Sequence, residues 1–159
     1  MSNLGLIPVR NFGILDEVKG LYRSAQPMYG YEYEWLKNVL NVKTIVNLRS
    51  ESNHDTNVAV KHGINVINFL VEDHKSPSQE QVAEFVRVIQ NDDHYPLLFH
   101  CQHGHGRTST FCVLARMATG WSFEDAIKEE NEVFHYQFRY QVQKDFLENI
   151  STKSLVVSE

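Results

Sequence analysis

The chain has 159 residues, enough for one domain with an apolar core that needs no disulfide staples. Hydrophobic residues make up 42% and charged residues 22%, the balance of an ordinary globular protein, and no apolar run approaches the length that spans a bilayer. With 15 basic against 20 acidic residues the formal net charge is −5. Broad attraction to nucleic acid or to an anionic membrane surface is therefore not expected, and an anionic ligand needs a local positive site. The N-terminus lacks the charged and apolar regions of a secretory signal, which makes the cytoplasm the expected location. Cys101 and Cys112 are too few for a disulfide framework.

Strand-like and helix-like stretches alternate along the chain, the pattern of an α/β domain. Gly13–Asp16 and Gly20–Arg23 read as an opening hairpin. Tyr33, Leu36, Val39 and Leu40 share one face of a helix expected over Tyr31–Leu40. Thr44–Leu48 reads as a short buried strand. A short helix is expected over Asn57–Lys61, ending at Gly63, followed by a strand over Asn65–Leu70. After a loop over Val71–Ser78, Val82, Phe85, Val86 and Ile89 recur at helical spacing through about Asn91. The apolar run Pro96–Phe99 reads as a strand that leads to His100, and a helix follows from near Thr108 to Ala118, closed by Gly120. Ser122 caps a further helix through about Glu130, with Asp125 as an imperfect capping-box partner. The last helix is expected over Phe138–Ile150, with a frayed tail over 151–159. These elements assemble into one domain spanning 1–159, with a mostly parallel central sheet of four to five strands and helices on both faces.

The segment between that strand and the helix near Thr108 carries chemistry. It reads His100-Cys101-Gln102-His103-Gly104-His105-Gly106-Arg107-Thr108-Ser109. The strand delivers the thiol to the carboxyl edge of the sheet, where open α/β folds place their sites. Gly104 and Gly106 allow the backbone to curl so that successive amides, including those of Gln102, His103 and His105, point at one anion. The helix that follows adds its positive N-terminal end, and Arg107 can grip two phosphate oxygens at once through its planar fork. Such a positive field favours a thiolate nucleophile at neutral pH. This is the equipment for attacking a phosphate monoester. A zinc site built from His100, Cys101, His103 and His105 is the rival reading. It is disfavoured because zinc ligands usually come in pairs from separate turns and because Arg107 would repel the cation, so no metal and no other cofactor is expected. Cys112, in an apolar helical stretch, reads as a packing residue.

His100–Thr108 resembles the signature of the cysteine-dependent protein tyrosine phosphatase superfamily, and the size and order of elements resemble its compact dual-specificity branch. Leu21-Tyr22-Arg23-Ser24-Ala25-Gln26-Pro27 is similar to an opening motif of bacterial members, and Thr44–Arg49 and Gly120–Ile127 resemble flanking elements. The resemblance implies that a mobile loop ahead of the cysteine supplies an acid. Asp73-His74-Lys75-Ser76-Pro77 occupies that place and resembles the version in cysteine-type phytases, although Ser76 stands where those enzymes usually carry tryptophan. The implied substrate is an inositol polyphosphate or a related phosphorylated small molecule, and the alternative is phosphotyrosine or phosphoserine/threonine in a protein. A non-catalytic phosphate-binding module is the reading from a different class.

On this reading Cys101 is the nucleophile, Asp73 the general acid and then base, and Arg107 with the loop amides the oxyanion grip. Glu72, one residue away, competes with Asp73 for the acid's role. Thr108 can donate a hydrogen bond to the thiolate. His100 either orients the loop and supports the thiolate or is a buried structural hydrogen-bonder. His103 and His105 are expected to rim the pocket, with His74 and Lys75 as further phosphate contacts from the acid loop. Arg23 and Arg49 are expected to make structural ion pairs.

Overall fold

A computed structural model describes residues 5–72, 75–136, 138 and 141–151. Five strands form one sheet: β1 (Gly13–Asp16), β2 (Leu21–Ser24), β3 (Thr44–Arg49), β4 (Asn65–Val71) and β5 (Leu97–His100). Their order is β1-β2-β5-β3-β4, with only the β1–β2 hairpin antiparallel. The expected α/β architecture is thus the one observed. β5 lies at the centre, pairing Leu97–His100 with Leu21–Ser24 on one side and with Thr44–Asn47 on the other. All four of its residues are buried, which is why it reads as a continuous apolar run rather than an alternating one.

The helices are α1 (Gly30–Asn38), α2 (His54–Val58), α3 (Gln79–Gln90), α4 (Gly106–Ala118), α5 (Phe123–Glu132) and α6 (Gln141–Ser151). They cover both faces of the sheet. On one face Tyr33 and Leu36 of α1 pack with Tyr22, Ile45, Leu98 and Ile64. On the other, α3, α4, α5 and α6 enclose Val46, Leu48, Leu97 and Phe99. Ser78 starts α3 with a reciprocal capping box: its hydroxyl accepts from the Gln81 amide at 3.1 Å, and the Gln81 side chain accepts from the Ser78 amide at 2.9 Å. The expected Ser122 cap is present on α5, accepting from the Asp125 amide at 3.1 Å. Among the described residues no helix is long and apolar enough to cross a membrane.

Strand ends differ from the sequence expectation by at most a residue, and four helices differ as follows. α1 starts at Gly30 and ends at Asn38. α2 begins at His54, three residues earlier than expected, and passes into a 3-10 turn over Ala59–His62 that Gly63 closes in the left-handed conformation. α4 begins at Gly106 rather than near Thr108, so Arg107 and Thr108 lie in its first turn. The reason is its burial: Arg107 to Ala115 are all buried, so polar residues continue a helix that no solvent-facing stripe marks. α6 starts at Gln141 rather than Phe138 and ends at Ser151. The rest of the expected tail, 152–159, lies outside the described residues.

The core is held by aromatic rings in edge contact. Phe85 is fully buried, with its ring centroid 4.6 Å from that of Phe111 and 5.5 Å from that of Phe99. Phe85→Ala is expected to cost about 3–5 kcal/mol of stability, from lost transfer energy plus the cavity left behind. Urea unfolding should then show a lowered midpoint at unchanged slope.

Candidate active site

Parallel pairing puts the carboxyl ends of β2, β3, β4 and β5 along one edge, and Cys101 follows β5 there. Its side chain is almost wholly buried, and the Thr108 hydroxyl donates to Sγ at 3.0 Å. The loop that follows is tied to the scaffold through consecutive carbonyls. The Gln102 carbonyl accepts from the Gln26 amide at 3.1 Å and that of His103 from the Asn11 side-chain amide at 2.5 Å. The Gly104 carbonyl accepts from Arg23 Nη2 at 2.9 Å, and His100 Nδ1 lies 3.1 Å from the Cys101 carbonyl. With its carbonyls engaged by the body of the protein, the loop can turn its amides toward the opposite side, as an anion nest requires.

Gly104 has φ +80, and a Cβ there would stand 2.9 Å from the Ala25 nitrogen, so only glycine fits. Gly106 works differently from the expectation. It is the first residue of α4 and has no left-handed backbone; its small size instead admits the Gln143 side chain, 3.1 Å from where a Cβ would be. His103 and His105 are exposed, as a rim position requires, and His105 stacks on Tyr136 with centroids 5.5 Å apart.

Arg107 is buried and rigidly held. Its two terminal nitrogens donate to the two Glu51 oxygens at 2.8 and 2.9 Å, and Nη1 also donates to the Val71 carbonyl at 2.9 Å. Glu51 is shared with Arg49, whose Nε donates to it at 3.0 Å. Hydrogen bonding to Arg107 holds the Glu51 carboxyl down at about 2, against a smaller opposing effect of burial. Beneath the loop Arg23 pairs with Glu130 at 2.6 Å, and both are buried. The same guanidinium lies 4.3 Å from the centre of the Phe134 ring and reaches Ser109 Oγ at 3.2 Å and Cys112 Sγ at 3.1 Å. Arg23 and Arg49 are thus in structural ion pairs, as their strand positions suggested. Cys112 is fully buried, with a thiol pushed up by desolvation.

His100 is buried, and its Nε2 makes a close hydrogen bond to Asp55 on α2. Asp73 and His74 lie outside the described residues. Their neighbours Glu72 and Lys75 are exposed, and the Lys75 carbonyl accepts from Gln143 at 3.3 Å. Sequence reasoning missed Glu51, Asp55, Gln26 and Glu130. Glu51 and Asp55 had one usable signal, since both follow β3 at the same sheet edge as the cysteine. Gln26 stood inside the opening motif, and Glu130 on an ordinary amphipathic helix gave no signal.

The family model described as "Tyrosine phosphatase family" matches residues 6–159. The chain belongs to this family. It is a cysteine-based, metal-independent phosphatase of the protein tyrosine phosphatase superfamily. Among curated relatives, Inositol diphosphatase DSP4 of Arabidopsis thaliana is 28% identical over 129 residues, covering 77% of this chain and only 63% of the relative's own length. Probable tyrosine-protein phosphatase DG1060 of Dictyostelium discoideum is 30% identical over 129 residues, covering 77% of this chain and 75% of that one. Among solved structures, the core catalytic domain of the PP-IP phosphatase SIW14 from S. cerevisiae, in complex with citrate, superposes with a TM-score of 0.75. It covers 93% of each chain at 22% identity, a likeness of fold.

Glu51 is the carboxylate that orients the Arg107 guanidinium. Held at about 2 against an ordinary 4.5, the carboxylate stays ionised well below the usual range; its stabilising contribution is complete above 4.5 and is lost as pH falls toward 2. Glu51→Gln is expected to raise KM for an aryl phosphate about tenfold. The pH at which activity fails on the acid side should stay where it is. A shifted acid limb in the kcat/KM profile would contradict this.

Proposed function

We propose that this phosphatase hydrolyses phosphate monoesters through a cysteinyl-phosphate intermediate, with inositol polyphosphates or related phosphorylated small molecules as its substrates. The observation that carries the reaction is the Thr108 hydroxyl donating to Cys101 Sγ, on a loop that ends in an anchored Arg107. Cys101 Sγ attacks phosphorus and the bond to the ester oxygen breaks, with that oxygen taking a proton from Asp73. Water then attacks the phosphoenzyme and gives its proton to Asp73, and the sulfur–phosphorus bond breaks to return the thiolate. Thr108 stabilises that thiolate by its hydrogen bond. Arg107 and the amides of Gln102 to Gly106 hold the equatorial oxygens throughout.

The substrate class is supported by the Asp73-His74 pair with Pro77 following and by the relative named an inositol diphosphatase. His74, Lys75, His103 and His105 are assigned to the flanking phosphates of a multiply charged substrate. Phosphoproteins are the second reading, favoured by the relative named a tyrosine-protein phosphatase.

Phosphate release from inositol hexakisphosphate and from a phosphotyrosine peptide, side by side in chelator, separates the two. Faster release from the inositol substrate is expected. Preference for the peptide moves the protein to the phosphoprotein enzymes, and silence on both, with phosphate still bound, makes it a binding module. Cys101→Ser should abolish turnover, and robust turnover by that variant sinks the covalent scheme. Asp73→Asn should slow release of a poor leaving group by about 100-fold or more, whereas Glu72→Gln should not; the reverse pattern would assign the acid to Glu72.

The double variant His103→Ala, His105→Ala should raise KM for a highly phosphorylated substrate more than for a singly phosphorylated one, in parallel KM measurements.

A further inference from the structure

Behind the cysteine loop, α1, α2, β5 and the turn after β2 bury a polar cluster that the reaction scheme does not use. Asp55, the second residue of α2, is 1% exposed, yet both carboxylate oxygens are engaged. Oδ1 accepts from the Tyr33 hydroxyl at 2.7 Å and from Gln26 Nε2 at 2.9 Å, and Oδ2 faces His100 Nε2. The far end of the cluster is Arg49, whose Nη1 donates to Gln26 Oε1 at 2.9 Å.

The near end is the His100 ring. One nitrogen meets the Asp55 carboxylate, and the other lies 3.1 Å from the Cys101 carbonyl. Both partners are acceptors only, and an imidazole satisfies two acceptors when both nitrogens carry hydrogen. The neighbouring carbonyls make the same demand. Those of Gln102, His103 and Gly104 each have a donor, and His100 Nδ1 is the group placed to supply one to the Cys101 carbonyl. Burial on its own would push the Asp55 carboxyl up, but the His100 ring together with the Tyr33 and Gln26 hydrogen bonds outweighs it and holds the group below the usual carboxylate range.

We propose that Asp55 is a positioning residue for the cysteine chemistry, acting through His100. Its carboxylate holds the ring as a buried imidazolium that donates to the Cys101 carbonyl. The positive end of this carboxylate–imidazolium pair lies next to Cys101, and the negative end lies one side chain further away. The pair therefore fixes the first peptide of the loop and favours an anionic sulfur. The inference rests on the reading of Cys101 as nucleophile, and its test includes readouts that do not need turnover.

The experiment compares the full chain with Asp55→Asn, His100→Asn and the double variant. Three quantities are measured: kcat and KM on p-nitrophenyl phosphate, the rate of Cys101 alkylation by iodoacetamide at pH 6 with the site confirmed by peptide mapping, and the imidazole N–H region of the proton NMR spectrum. Asp55→Asn is expected to lower kcat and the alkylation rate each by about tenfold, the worth of one charge-assisted hydrogen bond, with KM within about twofold. A strongly deshielded imidazole N–H resonance should be present in the wild type and absent from both single variants. The double variant should be no slower than His100→Asn alone, because the two residues act as one unit.

A purely structural Asp55 would lower the melting temperature and leave the alkylation rate of the folded protein unchanged, which overturns the proposal. So does a double variant whose losses multiply. If Asp55→Asn does not fold, Tyr33→Phe takes its place, since it removes one donor from the carboxylate. It should slow alkylation in the same direction by a smaller factor, and an unchanged rate overturns the proposal there too. Persistent turnover by Cys101→Ser would refute the nucleophile and leave the alkylation and NMR results to judge Asp55 separately.

Discussion

The site depends on how one short run of backbone is held. The carbonyls of Gln102, His103 and Gly104 are hydrogen-bonded by Gln26, Asn11 and Arg23, from two segments near the start of the chain, and His100 sits against that of Cys101. A carbonyl fixed into the scaffold sets the orientation of the peptide plane and so of the amide on its other side. Four such constraints in succession leave little freedom for the loop. Anion recognition by backbone amides needs that rigidity, because an amide is a weak ligand unless several converge without reorganisation.

The donors that impose this order are costly to bury. Arg23 lies under the loop, away from solvent, and is tolerable there because Glu130 neutralises it and Phe134 covers its face. On the other flank the Asp55–His100 pair is buried, with Tyr33 and Gln26 also donating to the Asp55 carboxylate. Arg107 is anchored by Glu51 and by the end of β4. Charge is thus concentrated around a loop in a chain whose overall charge is negative. An attraction for anions at this loop is a local matter, strengthened by the low dielectric in which these groups sit.

The sheet makes this concentration possible. In a parallel arrangement every strand ends at the same edge, so residues just beyond β2, β3, β4 and β5 meet although they are far apart in sequence. Gln26, Glu51 with Asp55, Val71 and Cys101 arrive there from four strands. Because β5 is central and fully buried, its end cannot shift without moving both neighbours. α4 then runs from the loop through the core, and its first turn carries buried Arg107, Thr108 and Ser109 toward the site.

How much of this was legible from residues alone follows from how far each interaction reaches along the chain. The alternation of strands and helices, the apolar run into Cys101, the glycine at Gly104 and the spacing to Arg107 are local patterns, and local stereochemistry is enough to interpret them. The start of α4 was misjudged because a helix buried on all sides shows no amphipathic stripe. Which residues the anchors pair with was hidden for a different reason. Glu51 meets Arg107 across 56 positions, Asp55 meets His100 across 45, and Arg23 meets Glu130 across 107. A carboxylate in a polar segment looks the same whether it ends in water or buried against a cation. The sequence by itself determined the fold class, the order of elements and the place of the Cys101–Arg107 loop between a strand and a helix, since these depend on neighbours in the chain. Only the tertiary structure decided which charges hold that loop, because burial and pairing are set by where the sheet brings distant residues together.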